Sequence, residues 1–264
     1  MRIAVFLACI ALALAWQPEE RLTGGNVAPV GSRPYMAAIL YSSGSLDQFC
    51  GGALVHPKWV LTSGFCVGNA DNIHAGLGYY NLLKDDSSDG AVVVHGTWHR
   101  HPDYGTSPAF ANDIALIELD TPVTLSDRIK IINMPKKDST PAADTKMLMS
   151  GWGITKQGGE LPVDLAQSLI TVSHIDVCIK QYVIQVDDTL ICSDHTDHDF
   201  CSGDDGGPAV TNYDENSYVG TEVLAGLAVR GHACQAIDDP SLYTRVSAHC
   251  GWIDSETGGD VHCN

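Results

Sequence analysis

The chain has 264 residues, 44% of them hydrophobic and 18% charged, with a formal net charge of −17. Such a length forms one large domain or two small ones, and the apolar content is that of a globular protein. The acidity argues against nucleic acid or an anionic membrane as partner, since both need a basic face; its simplest meaning is solubility.

The first 15 residues, "MRIAVFLACIALALA", carry Arg2, an apolar centre and a small-x-small ending at Ala13 and Ala15. This is the pattern of a secretory signal peptide, residues 1–15. The run is shorter than the roughly 20 apolar residues of a membrane span, and no later segment reaches that length. A stretch at 16–21 then leads to Arg21 and Leu22. Beyond it come short apolar runs rich in β-branched residues: "AAILYSS", "ALVHPKWVLT", "VVVHGTW", "DIALIEL", "SLITVS", "VLAGLAVRG" and "SLYTRV". Gly, Pro, Asn and Asp separate them, which predicts an all-β sandwich or pair of barrels. "NMPKKDSTPAADT" at 133–145 is the best connection between two halves. Only 246–256 reads as helical, and it carries Cys250 and Trp252.

Nine cysteines are present, and Cys9 leaves with the signal peptide. The remaining eight are Cys50, Cys66, Cys178, Cys192, Cys201, Cys234, Cys250 and Cys263. An even number in a secreted chain predicts disulfides, but spacing alone leaves 105 connectivities open. Zinc is disfavoured because no close C-x-x-C pair exists. "SDHTDHDF" gathers Asp194, His195, Asp197, His198 and Asp199, residue types that can bind a divalent ion. An acidic surface loop is the simpler reading of that segment. Neither a metal nor a cofactor is expected.

Six motifs occur in one order. Gly51 and Gly52 follow Cys50, "WVLT" precedes Cys66, and "NDIALIEL" contains Asp113. "SGWG" ends at Gly153, "GDDGGP" runs from Gly203 to Pro208, and "LYTRV" begins at Leu242. Together they resemble the chymotrypsin- and trypsin-like serine protease family, from about residue 22 to 253. The resemblance implies two packed six-stranded Greek-key β-barrels with a cleft between them and a C-terminal helix. It divides the chain into a propeptide at 16–21, one barrel at about 22–132, a second at about 133–245, and a helix and tail at 246–264. It also implies the pairs Cys50 with Cys66, Cys178 with Cys192, and Cys201 with Cys234; elimination then leaves Cys250 to Cys263.

The family's acyl transfer needs a hydroxyl nucleophile, an imidazole to take its proton and a carboxylate to orient the imidazole. The resemblance puts the imidazole directly before Cys66, where this chain has Phe65, and the hydroxyl in the middle of "GDDGGP", where it has Asp205. Only the carboxylate, Asp113, is retained. A phenyl ring accepts no proton. Asp205 could attack a carbonyl, but the product would be an anhydride, steeply uphill from a peptide. Its charge would also oppose an oxyanion held by the amides of Gly203 and Asp205. The retained glycines are then expected to serve tight turns and close backbone approach.

The resemblance also places Asp199 at the base of the substrate pocket, as in members that accept Lys or Arg. Arg230, Gly231 and Ser241 stand at its walls, with Phe200 narrowing it. His99 and His101 fall on the cleft rim as ordinary polar surface. Cleavage after Arg21 would free Leu22, whose ammonium would pair with Asp204. Asp113 is expected to lack its usual partners, and Arg230 is the candidate cation to reach across to Asp205 or Asp113. The expected function is that of a secreted, catalytically inactive homologue, neither a nucleic-acid nor a membrane binder. It would act by binding proteins: proteases, their substrates or their inhibitors, as cofactor, decoy or regulator. The alternatives are an endopeptidase of unusual mechanism and an acidic storage protein.

Overall fold

The computed structural model describes residues 25–43, 47–68, 72–83, 90–106, 110–154, 162–182, 186–194, 202–230 and 240–264, with Arg230 described for its backbone alone. The strands are β1 (Asn26–Val27), β2 (Met36–Leu40), β3 (Gln48–His56), β4 (Trp59–Thr62), β5 (Ile73–Leu77), β6 (Val92–Arg100), β7 (Ala115–Leu119), β8 (Lys146–Gly151), β9 (Ala166–Ser173), β10 (Leu190–Ser193), β11 (Pro208–Thr211), β12 (Val223–Arg230) and β13 (Leu242–Arg245). The helices are α1 (Gly64–Val67), α2 (Ile175–Gln181) and α3 (Cys250–Glu256). One barrel closes in the order β2-β3-β4-β7-β6-β5. The other runs β9-β10-β13-β12-β11-β8 and closes through pairing of β8 with β9. All these pairings are antiparallel, and the chain is the two-barrel fold expected from its motif order.

The strand β2, "MAAIL", shows why polar alternation is missing from the sequence. All five of its residues are buried. Ala37 and Ile39 fill the first barrel with Leu54, Val60, Ile73, Leu77 and Ile117. Met36, Ala38 and Leu40 point the other way, into a cluster shared with Trp152, Leu227 and Val246 of the second half. A strand alternates its side chains between two faces, so a strand covered on both faces reads as a continuous apolar run. Each fully buried Leu or Ile contributes about 1.5–3 kcal/mol. The seam between barrels is therefore a second core.

Three disulfides are present among the described residues: Cys50–Cys66, Cys178–Cys192 and Cys250–Cys263. They close loops of 16, 14 and 13 residues, for which chain entropy gives about 3 kcal/mol each. Cys201 and Cys234 lie outside the described residues.

The structure departs from the sequence reading at three places in the fold, the smallest being α1, a four-residue helical turn outside the 246–256 segment. The strand β1, counted with the first barrel in the 22–132 span, hydrogen-bonds to β9 of the second. A two-residue strand has no periodicity of its own, so only its partner assigns it. The helix α2 was not anticipated either. Its seven residues carry one buried side chain, Cys178, which is tied to β10 by the disulfide. A helix that short is marginal in isolation and forms through its tertiary anchor. The C-terminal segment is helical as expected, with a 3₁₀ turn at Val246–His249 leading into α3.

Candidate active-site cleft

Each barrel contributes one loop to the site. From the first comes α1, a single turn after β4 that contains Cys66. Ser63 sits before it in extended conformation and caps it, accepting from the Phe65 amide at 3.0 Å. Serine before a turn satisfies an orphan amide in this way. The Ser63 hydroxyl in turn donates to Asp113 Oδ1 at 2.7 Å, and the Phe65 amide donates to the same oxygen at 2.8 Å. Asp113 precedes β7, after a turn in which Phe110 and Asn112 adopt positive φ. Its carbonyl accepts from Thr244 of β13 at 2.7 Å, which ties the first barrel's carboxylate to the second.

Asp113 is only 4% exposed. Burial raises its pKa, and the Ser63 hydroxyl, the Phe65 and Gly64 amides and the Arg100 charge counter that rise. This corrects the expectation of an unpartnered carboxylate. Two of the three donors are backbone amides, and an amide is present whatever side chain follows it. Arg100 is a cation in the group's field, and its guanidinium stacks over Tyr104 at 4.7 Å. The Arg230 side chain lies outside the described residues, so its proposed reach toward either carboxylate is not seen. The Ser63 signal was readable as a cap before a helical turn; Arg100 carried no local signal.

From the second barrel comes the turn at 203–208. Gly51 of β3 donates its amide to the Asp205 carbonyl at 2.8 Å, and Gln48 donates to the Gly203 carbonyl. The Gly206 amide donates to Ala228 at 2.8 Å. Gly206 has φ +76°, and a Cβ there would strike Gly51 O and Ser63 N. A Cβ at Gly51 would stand 2.8 Å from Gly207 Cα. Here the glycines are needed for close approach of two backbones across the barrel seam.

Asp205 stands in that turn with its carboxyl pushed up to about 7, first by burial and then by the charge of Asp113. Its own backbone amide partly counters that rise. Phe65, on the opposite loop, is 58% exposed. Asp204 is fully buried and accepts from the Gly153 amide at 2.7 Å. Ser241 is buried beside the Cys178–Cys192 disulfide, its carbonyl accepting from Ser193 at 2.9 Å. Asp199, Phe200, Gly231, Arg21 and Leu22 lie outside the described residues, as do His195, Asp197 and His198.

Among the described residues, no group of three or more His, Cys, Asp or Glu side chains is placed to hold a metal ion. No described helix is long and apolar enough to cross a membrane. His99 bonds Glu256 of α3 at 2.8 Å, and His101 packs against His249 and Trp252.

Paired six-stranded barrels whose loops meet at a buried aspartate define a chymotrypsin-like architecture. The chain belongs to the Trypsin family, whose pattern it matches over residues 22–253. It is 34% identical to Kallikrein-4 of Homo sapiens over 239 residues, covering 89% of this chain and 87% of the relative. It is 32% identical to human Granzyme M over 257 residues, covering 96% and 95%, and 30% identical to Proproteinase E of Bos taurus over 243 residues, covering 90% and 95%.

Proposed function

We propose that this protein is a secreted, catalytically inactive Trypsin-family homologue that acts by binding other proteins. The observation that carries the reading is the pair of side chains beside Asp113. Phe65, at the position of the proton acceptor, has no basic atom, and Asp205, at the position of the nucleophile, has a carboxyl where acyl transfer needs a hydroxyl. Among the described residues, none of the groups that bond Asp113 is a histidine. His249 is the one bonded next to Asp113, through Asn112 at 3.3 Å. Burial pushes its pKa down to about 4, and its Nδ1 faces the Arg245 carbonyl at 3.1 Å. A base so weak drives little proton transfer at neutral pH. The three disulfides fit an oxidising, extracellular setting. Partners would be proteases, their substrates or their inhibitors, engaged as cofactor, decoy or regulator.

A working endopeptidase is the competing reading, and the names of the relatives, Kallikrein-4 and Granzyme M among them, favour it. The two readings separate with a fluorophosphonate probe and Arg or Lys amide substrates, applied to the chain cleaved after Arg21. The wild type and the Asp205→Ser variant should neither label nor turn over. The Phe65→His/Asp205→Ser double variant should label and exceed either single by at least about 10³-fold, because triad members act as a unit. Robust turnover by purified wild type would overturn the proposal.

A further inference from the structure

On the wall of the first barrel, away from the loop that carries Asp205, two histidines stand side by side. The β5–β6 register places His74 directly opposite His95. Their ring centroids are 5.1 Å apart, with the planes inclined at 72°. A metal–nitrogen bond is about 2.0–2.1 Å, and with a ring radius of about 1.2 Å each centroid would lie about 3.2 Å from a shared ion. Centroids 5.1 Å apart then subtend about 105° at that ion, close to the tetrahedral angle.

The surroundings suit ligation. His95 Nδ1 lies 2.8 Å from Asp120 Oδ2, which leaves Nε2 to face an ion. The Asp120 amide also bonds the His95 carbonyl at 3.0 Å, so the carboxylate is fixed beside the ring by the backbone. A carboxylate behind a ligating imidazole orients it and raises its basicity. The side chains of His95 and Asp120 are 41% and 57% exposed, so an ion reaches them from solution. His74 is half-buried, and its Nδ1 is buried without a hydrogen bond among the described residues.

We propose that His74 and His95, with Asp120 behind His95, form a surface site for a divalent ion of the imidazole-preferring class, Cu²⁺ or Zn²⁺, with solvent completing the coordination. Imidazole ligands select these ions over Mg²⁺ and Ca²⁺, and Cu²⁺ binds more tightly than Zn²⁺ at a given nitrogen site. The ion clips β5 to β6, and a ligand that binds only the folded state raises stability by mass action. The site is independent of the fate of the cleft, since none of its three residues takes part there. His95 is the stronger ligand, because among the described residues only His95 has a carboxylate behind its second nitrogen.

The test is titration of the full secreted chain with Cu²⁺ and with Zn²⁺. Calorimetry gives stoichiometry and affinity, and electron paramagnetic resonance of the Cu²⁺ form counts the bound nitrogens. One equivalent with two nitrogens is expected. His95→Asn should weaken binding at least tenfold and leave one nitrogen. His74→Asn should also leave one nitrogen with a smaller loss, and Asp120→Asn should weaken binding up to about tenfold with both nitrogens kept. His74→Gln and His95→Gln provide a second pair if an Asn variant misfolds by circular dichroism. Binding and nitrogen count unchanged in both histidine variants would place the ion elsewhere and overturn the proposal, as would no binding by the wild type beyond that of the His74→Asn/His95→Asn double variant.

Discussion

The cleft holds two carboxylates, one from each barrel, Asp113 buried and Asp205 half-buried, both raised in pKa but differently surrounded. Asp113 is met by a hydroxyl and two amides and sits in the field of a cation. Asp205 is met by its own amide and by the charge of Asp113. A buried charge is tolerated when donors are built around it; otherwise the group takes up a proton. The difference follows from where the donors come from. Those of Asp113 belong to the capped turn at 63–65, whose amides stay in place when the side chain at 65 changes. The turn at 203–208 turns the carbonyls of Gly203 and Asp205 toward the first barrel, where Gln48 and Gly51 donate to them. It was left with little to offer an acid.

The largest break in this comparison should come from Asp205→Asn. The carboxyl has an ordinary pKa of 3.8 and stands at about 7 in the folded chain. Below pH 4 both states are protonated and the group has no effect. Between pH 4 and 7 the unfolded chain ionises while the folded chain holds its proton, so stability falls as pH rises, and the full penalty is present above pH 7. At about 1.4 kcal/mol per pKa unit, the amide variant should be more stable than wild type by about 4 kcal/mol at pH 8 and equal to it near pH 3. Denaturant midpoints at the two pH values check this; a gap that does not change with pH would show that Asp205 is not held protonated.

Ser63→Ala should act in the opposite sense and more modestly. It removes both the cap of α1 and one donor to Asp113 while the Phe65 amide remains. A loss of about 2 kcal/mol is expected, growing as pH rises and Asp113 ionises. Thermal melts of wild type and variant at pH 5 and pH 8 measure it, and a loss under about 0.5 kcal/mol at both would mean that the backbone amides alone hold the carboxylate. Phe65→Ala sharpens the same point from its weakest side. An exposed ring whose amide makes the contact should change stability by less than about 0.5 kcal/mol. A larger fall by the same melts would show that the ring itself packs in the cleft.

Much of the fold was legible because its requirements are local in sequence. Gly51, Gly206 and Gly207 mark places where two backbones nearly touch, and no other residue allows that approach. The short β-branched runs carry the strands, and the pairing of Cys250 with Cys263 followed once the other partners were assigned. That Phe65 has no basic atom and Asp205 no hydroxyl is equally legible, since each is a property of the residue itself; what this means for activity is the proposal tested by the fluorophosphonate probe. Other features belong to no single stretch. The strand β1 takes its identity from β9, and α2 from the disulfide to β10. The facing of His74 and His95 exists only through the β5–β6 register. The partners of Asp113 were the clearest miss, because they are backbone amides, which every sequence contains and only a fold can aim. Residue types therefore determined which groups this chain can offer to a reaction. Tertiary structure decided which of its buried charges are satisfied, because that depends on the direction of groups that leave no mark in the sequence.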